Sequence, residues 1–252
     1  MFGPGVNTFD FTALRVDNNP GLGFDHAGGI QALGTLLAVP NENHDTDCDI
    51  CGDLPVEVRT QIRFFDVSTP TSPNLLGFVG QDVLASTEAG AVALARLQNN
   101  RILMAVARTE SYMLDFYVSE PNDPLAWSHI DTWWRSEAHS TLPDGDTSVG
   151  DYQGINFVTR CSDGALFLAG THKSGDIWGG DWVDLFRVEL DVNTSVLTKV
   201  AKRHIHCDQQ CSLDAGGGLY VTPDGRLVVY ATEHAVDGPV INTLPTVKMR
   251  EF

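Results

Sequence analysis

The sequence has few cations, and its charge balance excludes some kinds of partner. Its 252 residues include 33 acidic side chains against 16 lysines and arginines, which gives a formal net charge of -17. Nucleic acids and anionic membrane surfaces bind basic faces, so neither is an expected partner. The sequence also lacks an apolar run of the ~18–20 residues that a membrane-spanning helix needs.

Several sequence signals are missing. The start, Met1-Phe2-Gly3-Pro4-Gly5, has neither a basic stretch nor an apolar core, so no signal peptide is visible, although a mature form of a longer precursor would look the same. There is no nucleophile elbow, phosphate-binding loop, dinucleotide fingerprint or H-E-x-x-H motif. No linker or low-complexity stretch divides the chain, so we expect a single domain over residues 1–252.

Cysteine is scarce but grouped. Four of the five cysteines form two local pairs, Cys48/Cys51 and Cys207/Cys211, and Cys161 stands alone. Local disulfides would fit an extracellular or periplasmic protein, which is the expected location. Zinc held by these pairs with His204 and His206 is the alternative.

A repeat of 63 residues is the strongest positive signal. Asp25, Glu88, Asp151 and Asp214 follow one another at intervals of 63, and each precedes an apolar hairpin. The predicted hairpins span Ile30–Val39, Val92–Val106, Ile155–Ala169 and Leu219–Ala231. Four periods account for the whole chain. The pattern predicts an all-β, four-bladed β-propeller with blades at about 26–88, 89–151, 152–214 and 215–252 plus 1–25.

Third and fourth strands complete the predicted blades. The third strands are Ile62–Val67, Met113–Val118, Trp182–Leu190 and Val247–Phe252, and the fourth strands are Leu75–Val79, Trp127–Trp133 and Val196–His204. The last blade lacks a fourth strand, so we expect Phe9–Val16 to pair beside Val247–Phe252 and close the ring. The alternative is a β-sandwich with chance periodicity.

Loop lengths indicate which face carries function. The connections between second and third strands, and between successive blades, are long and emerge on one face, whereas the hairpin turns are short. Long loops on a rigid scaffold are where binding and catalysis usually occur. The face of the short turns is interpreted as scaffold.

The four acidic residues that open the blades are the first candidate site. Asp25, Glu88, Asp151 and Asp214 would border the central channel, where a hard cation such as Ca²⁺ could balance their charge. The alternative is that each carboxylate caps backbone N–H groups of a neighbouring blade. The loop Asp45–Asp53 resembles a calcium loop in its alternating aspartates, but Ile50 and Val56 depart from the EF-hand pattern.

Residues at the ends of the second strands are the second candidate. The candidates for acid–base chemistry are His172, His234 and Glu233, with Glu233 or Asp214 orienting His172. The candidates for ligand binding are His26, Glu42, Arg108, Tyr152, Lys173, Trp178 and Trp182. Trp134, Trp178 and Trp182 could stack on a sugar, whereas Trp127 and Trp133 are interpreted as packing residues. A solvated polar rim is the alternative.

One segment carries a family resemblance. Phe64-Phe65-Asp66-Val67-Ser68, followed by a Pro70-x-x-Pro73 turn and Leu75-Leu76-Gly77, resembles the LVIVD-type propeller repeat in one blade. That resemblance implies a propeller and a bacterial surface protein, but no activity. The acidic residue opening each blade is similar to hemopexin-like four-bladed domains, which hold ions in their channel.

The predicted function is binding of a small polar or aromatic-stacking ligand, for which a glycan is one class, with an axial cation as support. A metal-dependent or cofactor-free enzyme of hydrolase, lyase or cyclase type, using the same face, is the alternative. A protein-interaction scaffold is a third hypothesis. No organic cofactor is implied.

Overall fold

The computed structural model describes residues 26–42, 60–80, 82–86, 88–108, 111–173, 180–191, 193–205, 212–232 and 249–251. These residues form four sheets that follow one another along the chain. Within the described residues, no helix is long and apolar enough to cross a membrane.

The first two sheets agree closely with the predicted blades. Sheet 1 contains β1 (His26–Ala27), β2 (Gln31–Leu33), β3 (Leu36–Glu42), β4 (Thr60–Asp66) and β5 (Asn74–Val79). Sheet 2 contains β6 (Ala91–Arg96), β7 (Ile102–Ala107), β8 (Met113–Glu120) and β9 (Asp123–Trp134) in that order. Short turns join the first and second strands, and all these pairs are antiparallel.

The third and fourth sheets follow the same plan. Sheet 3 contains β10 (His139–Ser140), β11 (Gly154–Thr159), β12 (Leu166–Lys173), β13 (Asp181–Asp191) and β14 (Thr194–Ile205). Sheet 4 contains β15 (Ser212–Val221), β16 (Leu227–Thr232) and β17 (Met249–Glu251). The strand β10 was not predicted. It adds to the outer edge of sheet 3 by pairing in parallel with β14.

Apolar clusters lie between successive sheets. Leu94 and Val92 of β6 pack in one cluster with residues of sheet 1, whereas Ala93 of the same strand packs in another with residues of sheet 3. A third cluster joins sheets 3 and 4. A sheet buried on both faces needs almost continuous apolar strands, which is how β6 (AVALAR) and β7 (ILMAVA) read. Radial sheets stacked in sequence order are the arrangement of a β-propeller.

The inner strands meet at the centre of the molecule. The N–H of Gly29 donates to the carbonyl of Gly90, and the N–H of Val92 donates to the carbonyl of Gly29, each at 2.9 Å. This contact lies between β1 and β2, and the predicted hairpin Ile30–Val39 corresponds to β2 and β3. A Cβ on Gly29 would lie 2.3 Å from the carbonyl oxygen of Gln153, so sheet 3 also reaches this point.

Polar side chains of one sheet bind the backbone where the inner strand of the next sheet begins. The donor and acceptor pairs are Ala89 N–H to Glu42 Oε2 at 2.9 Å, Tyr152 N–H to Ser111 Oγ at 2.9 Å, and Leu213 N–H to Asp181 Oδ1 at 2.7 Å. All three bonds are buried, so they fix each sheet against its neighbour.

Ring closure stays a prediction. The proposed closing strand Phe9–Val16 lies outside the described residues, as do Val247, Lys248 and Phe252 of the strand that it would contact. The resemblances to LVIVD-type and hemopexin-like proteins are supported only at the level of a propeller fold.

Candidate functional site

A segment that crosses from the outer to the inner edge of sheet 3 builds the site. This crossing segment, residues 139–152, begins at β10 and ends just before β11, and the sequence predicted only a long loop here. Two glycines let it approach the sheet. A Cβ on Gly150 would lie 2.2 Å from Cγ of His172, and a Cβ on Gly170 would lie 2.5 Å from Cδ1 of Tyr152. Neither glycine can therefore carry a larger side chain without displacing an aromatic ring.

Asp184 of β13 is the centre of a buried cluster beneath the crossing segment. Its side chain has no exposed surface. The hydroxyl of Tyr152 donates to Oδ2 of Asp184 at 2.9 Å, and Nε2 of His172 lies 3.2 Å from the same oxygen. Nζ of Lys199 lies 2.9 Å from Oδ1. Both nitrogens are therefore within ion-pair distance of the carboxylate, which His172 can pair with as an ion only when its ring is protonated.

Lys199 is a fully buried cation on β14. The register of β13 and β14 shifts between Leu185 and Phe186, and such a β-bulge re-aims the neighbouring side chain. Nζ of Lys199 donates to the carbonyl of Ser148 at 2.7 Å and contacts Asp146 at 3.3 Å. Lys199 therefore ties the crossing segment to Asp184. We call Asp146, Tyr152, His172, Asp184 and Lys199 the buried ionic cluster.

The surroundings shift the pKa values of this cluster. Burial opposes ionisation of Asp184, but His172 and Lys199 outweigh it and hold its pKa below the ordinary 3.8. Burial also opposes ionisation of Asp146, yet hydrogen bonds from Ser148 and Lys202 and the charge of Lys199 lower its pKa. Burial and the charge of Asp184 raise the pKa of Tyr152 well above 10.0, so its hydroxyl stays a donor at neutral pH.

The lowered pKa of Asp184 predicts a loss of stability in acid. A carboxylate with a depressed folded-state pKa stabilises the fold above its unfolded pKa, and this contribution is lost as the pH falls through the folded value. We expect the free energy of unfolding to decrease below about pH 4, the unfolded pKa of an aspartate being ~3.9. Urea melts between pH 7 and pH 2.5 measure this. The variant Lys199→Met should show a smaller decrease over that range, and an equal decrease would contradict the assignment.

Sheet 2 carries an equivalent buried carboxylate. Asp115 lies opposite Val106, as Asp184 lies opposite Gly170, and neither carboxylate side chain is exposed. The guanidinium of Arg108 donates two hydrogen bonds to Asp115, each at 3.0 Å, and this pairing raises the pKa of Arg108. Arg108, predicted to bind ligand, is therefore held by its own sheet.

The other residues predicted at the second-strand ends have different surroundings. Glu42 is buried and accepts from Ala89 N–H, so it joins two sheets. Lys173 is exposed beside His172. Tyr152 and His172 are brought together, with ring centroids 5.5 Å apart. The predicted partners of His172, Glu233 and the side chain of Asp214, lie outside the described residues. Within the described part, Asp184 takes that place.

Aromatic side chains are exposed at the long-loop end of sheets 2 and 3. Tyr112 is 52% exposed and Trp134 is 49% exposed. Trp182 is partly exposed, and its ring lies 4.7 Å from that of His204 and 4.7 Å from Nζ of Lys202. In contrast, Trp127 and Trp133 are buried between sheets, which confirms their prediction as packing residues.

The predicted axial cation site is only partly within the described residues. Glu88 and Asp151 are both exposed. Asp25 and the side chain of Asp214 lie outside the described residues. Among those that are described, no group of three or more histidine, cysteine, aspartate or glutamate side chains could hold a metal ion. The axial Ca²⁺ stays a prediction.

The remaining candidates lie outside the described residues. They are the side chain of His26, together with Asp45–Asp53, Trp178, His206, His234 and the two cysteine pairs. Cys161 is exposed with a free thiol.

Three members of the buried ionic cluster were missed from the sequence. They are Asp146, Asp184 and Lys199. The sequence did contain a signal for Asp184. Like Asp115, it interrupts an apolar third strand, in Val183-Asp184-Leu185 and in Leu114-Asp115-Phe116. A carboxylate inside a buried strand needs a buried partner.

Comparison with known proteins identifies no family. No protein-family model and no curated protein matches the chain. Among solved structures, an α-L-arabinanase from Cellvibrio cellulosa is similar at 13% identity and a TM-score of 0.47, over 98% of this chain and 78% of that chain. A GH32 β-fructofuranosidase from Bombyx mori is similar at 12% identity and a TM-score of 0.48, over 84% of this chain and 43% of that chain.

A fructofuranosidase from Schwanniomyces occidentalis is similar at 12% identity and a TM-score of 0.45, over 86% of this chain. The chain spans 38% of the length of that protein. All three TM-scores are below 0.5, so the description of the fold rests on the sheet topology of this chain itself.

Proposed function

We propose that the protein binds a small polar ligand of the carbohydrate class at the long-loop end of sheets 2 and 3. The observation that carries the proposal is the exposure of Tyr112 and Trp134 at this end, with Trp182 partly exposed. Aromatic faces stack on the apolar faces of sugar rings, and exposed aromatic side chains on one surface are typical of binding sites.

The polar groups around this surface suit a carbohydrate. Lys173 and His204 are exposed at the same strand ends, and their side chains carry N–H groups that donate hydrogen bonds. Beneath the surface, the buried ionic cluster holds the ends of β12 and β13 in place, so the site is preorganised.

Binding should depend on the aromatic residues at this end of the sheets and not on those at the opposite end. We expect Trp182→Ala and Tyr112→Ala each to weaken binding about ten-fold, since the loss of one aromatic contact costs about 1.4 kcal/mol. A glycan array identifies ligands, and calorimetry measures the affinities. Tyr220→Ala is the matched control, because Tyr220 is 45% exposed on sheet 4, close to the short turn at the opposite end. Unchanged affinity in both site variants would exclude this surface.

An enzyme is the second candidate, and one observation favours it. His172 is held against the buried Asp184 while 12% of its own side chain remains exposed. A carboxylate that orients a reachable imidazole is the arrangement of an acid–base pair. Turnover of a chromogenic glycoside or ester that is lost in His172→Gln would support it. Binding without turnover across such a panel supports the binding module.

A further inference from the structure

A concave surface lies at the opposite end of the sheets, where short turns join first and second strands. It is open to solvent and has a volume of about 560 Å³, which is in the range of small-molecule sites. All four sheets contribute residues to its wall, and the largest apolar ones are Leu33, Leu94, Leu97, Phe157 and Val221. The face that the sequence assigned to scaffold therefore contains a cavity, which we call the axial funnel.

Gln31 lines the funnel and joins three sheets there. Its Oε1 accepts hydrogen bonds from the N–H groups of Leu94 and Phe157, each at 2.9 Å. Its Nε2 donates to the carbonyl of Phe157 at 3.2 Å. Three of the four hydrogen-bonding positions of this amide are thus used within the protein. Gln31 therefore has one hydrogen-bonding position left for a ligand, and most of its role is to join the sheets.

The charged side chain of Arg96 lines the same funnel. Arg96 is exposed, and within the described part of the chain it makes no hydrogen bond or ion pair. The acidic residues of two neighbouring turns are already neutralised. Asp163 pairs with Arg160, and Asp224 pairs with Arg226. In the described part of the molecule, the funnel therefore presents an apolar wall together with the guanidinium of Arg96, in a protein whose net charge is -17.

We propose that the axial funnel binds a small amphipathic anion, an apolar ring or chain that carries one carboxylate or sulfonate. The apolar body would contact the more exposed lining residues Leu33, Leu97 and Val221, and the anionic group would pair with Arg96, for which a guanidinium has suitable geometry. This site is independent of the proposed carbohydrate site, because it lies at the other end of the sheets.

A fluorescence titration with 8-anilinonaphthalene-1-sulfonate tests the proposal on the full chain. We expect saturable enhancement with one probe bound per chain. Arg96→Gln should weaken binding about five-fold, and Arg101→Gln is the matched control, since Arg101 is on the same hairpin but contacts Glu120 instead. The neutral probe N-phenyl-1-naphthylamine should bind the wild type and Arg96→Gln equally.

Filling the funnel should abolish binding of both probes. Thr159→Trp places an indole at its wall, and Val221→Trp does the same from another sheet if the first variant fails to fold by circular dichroism. Enhancement that persists in the folded variant would overturn the proposal. Loss of the fluorescence enhancement in Phe78→Ser would also overturn it, because Phe78 is 62% exposed on sheet 1 and lies outside the funnel.

Discussion

Asp184→Ala is expected to lower the free energy of unfolding by about 3–5 kcal/mol, the cost of removing one partner from a buried ion pair. The reason is Lys199, whose side chain is fully buried and lies 2.9 Å from the carboxylate. Without Asp184, this ammonium loses its shortest contact with a carboxylate and keeps the longer one to Asp146 at 3.3 Å, together with its hydrogen bonds to Ser148. The hydroxyl of Tyr152 also loses its acceptor. Chemical denaturation followed by circular dichroism measures the change.

Two further variants separate charge from packing. The double variant Asp184→Leu with Lys199→Met should recover most of the lost stability, because it removes both charges and keeps side-chain volume. Asp163→Ala is the matched surface control. Its pair with Arg160 is exposed, so we expect no measurable change. If Asp184→Ala were as mild as Asp163→Ala, the buried ionic cluster would have no structural role.

Gly29→Ala is expected to destabilise the protein by about 3 kcal/mol, at the upper end of the usual cost of overpacking. The added methyl group would lie 2.3 Å from the carbonyl oxygen of Gln153 and 2.9 Å from Cα of Gly154. Both neighbours are backbone atoms of sheet 3, so no side chain can rotate away. The inner strands of sheets 1 and 3 would have to separate, which would also strain the two hydrogen bonds between Gly29 and sheet 2.

Gly218→Ala is the matched control on the inner strand of sheet 4. A Cβ at this position meets no atom within 4 Å. Alanine there should be neutral or slightly stabilising, because it reduces the backbone entropy of the unfolded chain. Thermal unfolding of the two variants compares them directly. Equal melting temperatures would mean that the sheets do not converge at Gly29.

The buried ionic cluster connects stability to the proposed binding surface. His172 and Trp182 lie opposite each other on β12 and β13, and His172 contacts Asp184. Loss of Asp184 should therefore weaken ligand binding as well as the fold. Asp184 and Lys199 lie below the surface, so we expect them to support the site without contacting the ligand.

The strands could be predicted from the sequence because their signal is local. Apolar runs bounded by turn residues, such as Leu219–Val221 and Leu227–Ala231 around Pro223-Asp224-Gly225, fix a hairpin within a few residues. The 63-residue spacing then placed the hairpins of all four sheets and indicated their radial order. The strand ends that carry His172 and Tyr152 followed from the same alignment.

The partners of these residues depended on the tertiary structure alone. Lys199 and Ser148 are 51 positions apart and meet only because the crossing segment returns over sheet 3. A β-bulge in the same sheet turns the lysine inward, and the sequence does not mark such a bulge. The apolar pattern of each strand and the 63-residue spacing of the hairpins can both be read along the chain, so the sequence determined the sheets. Burial of charge is a property of the packed interior, so only the folded chain decided which residues form the cluster.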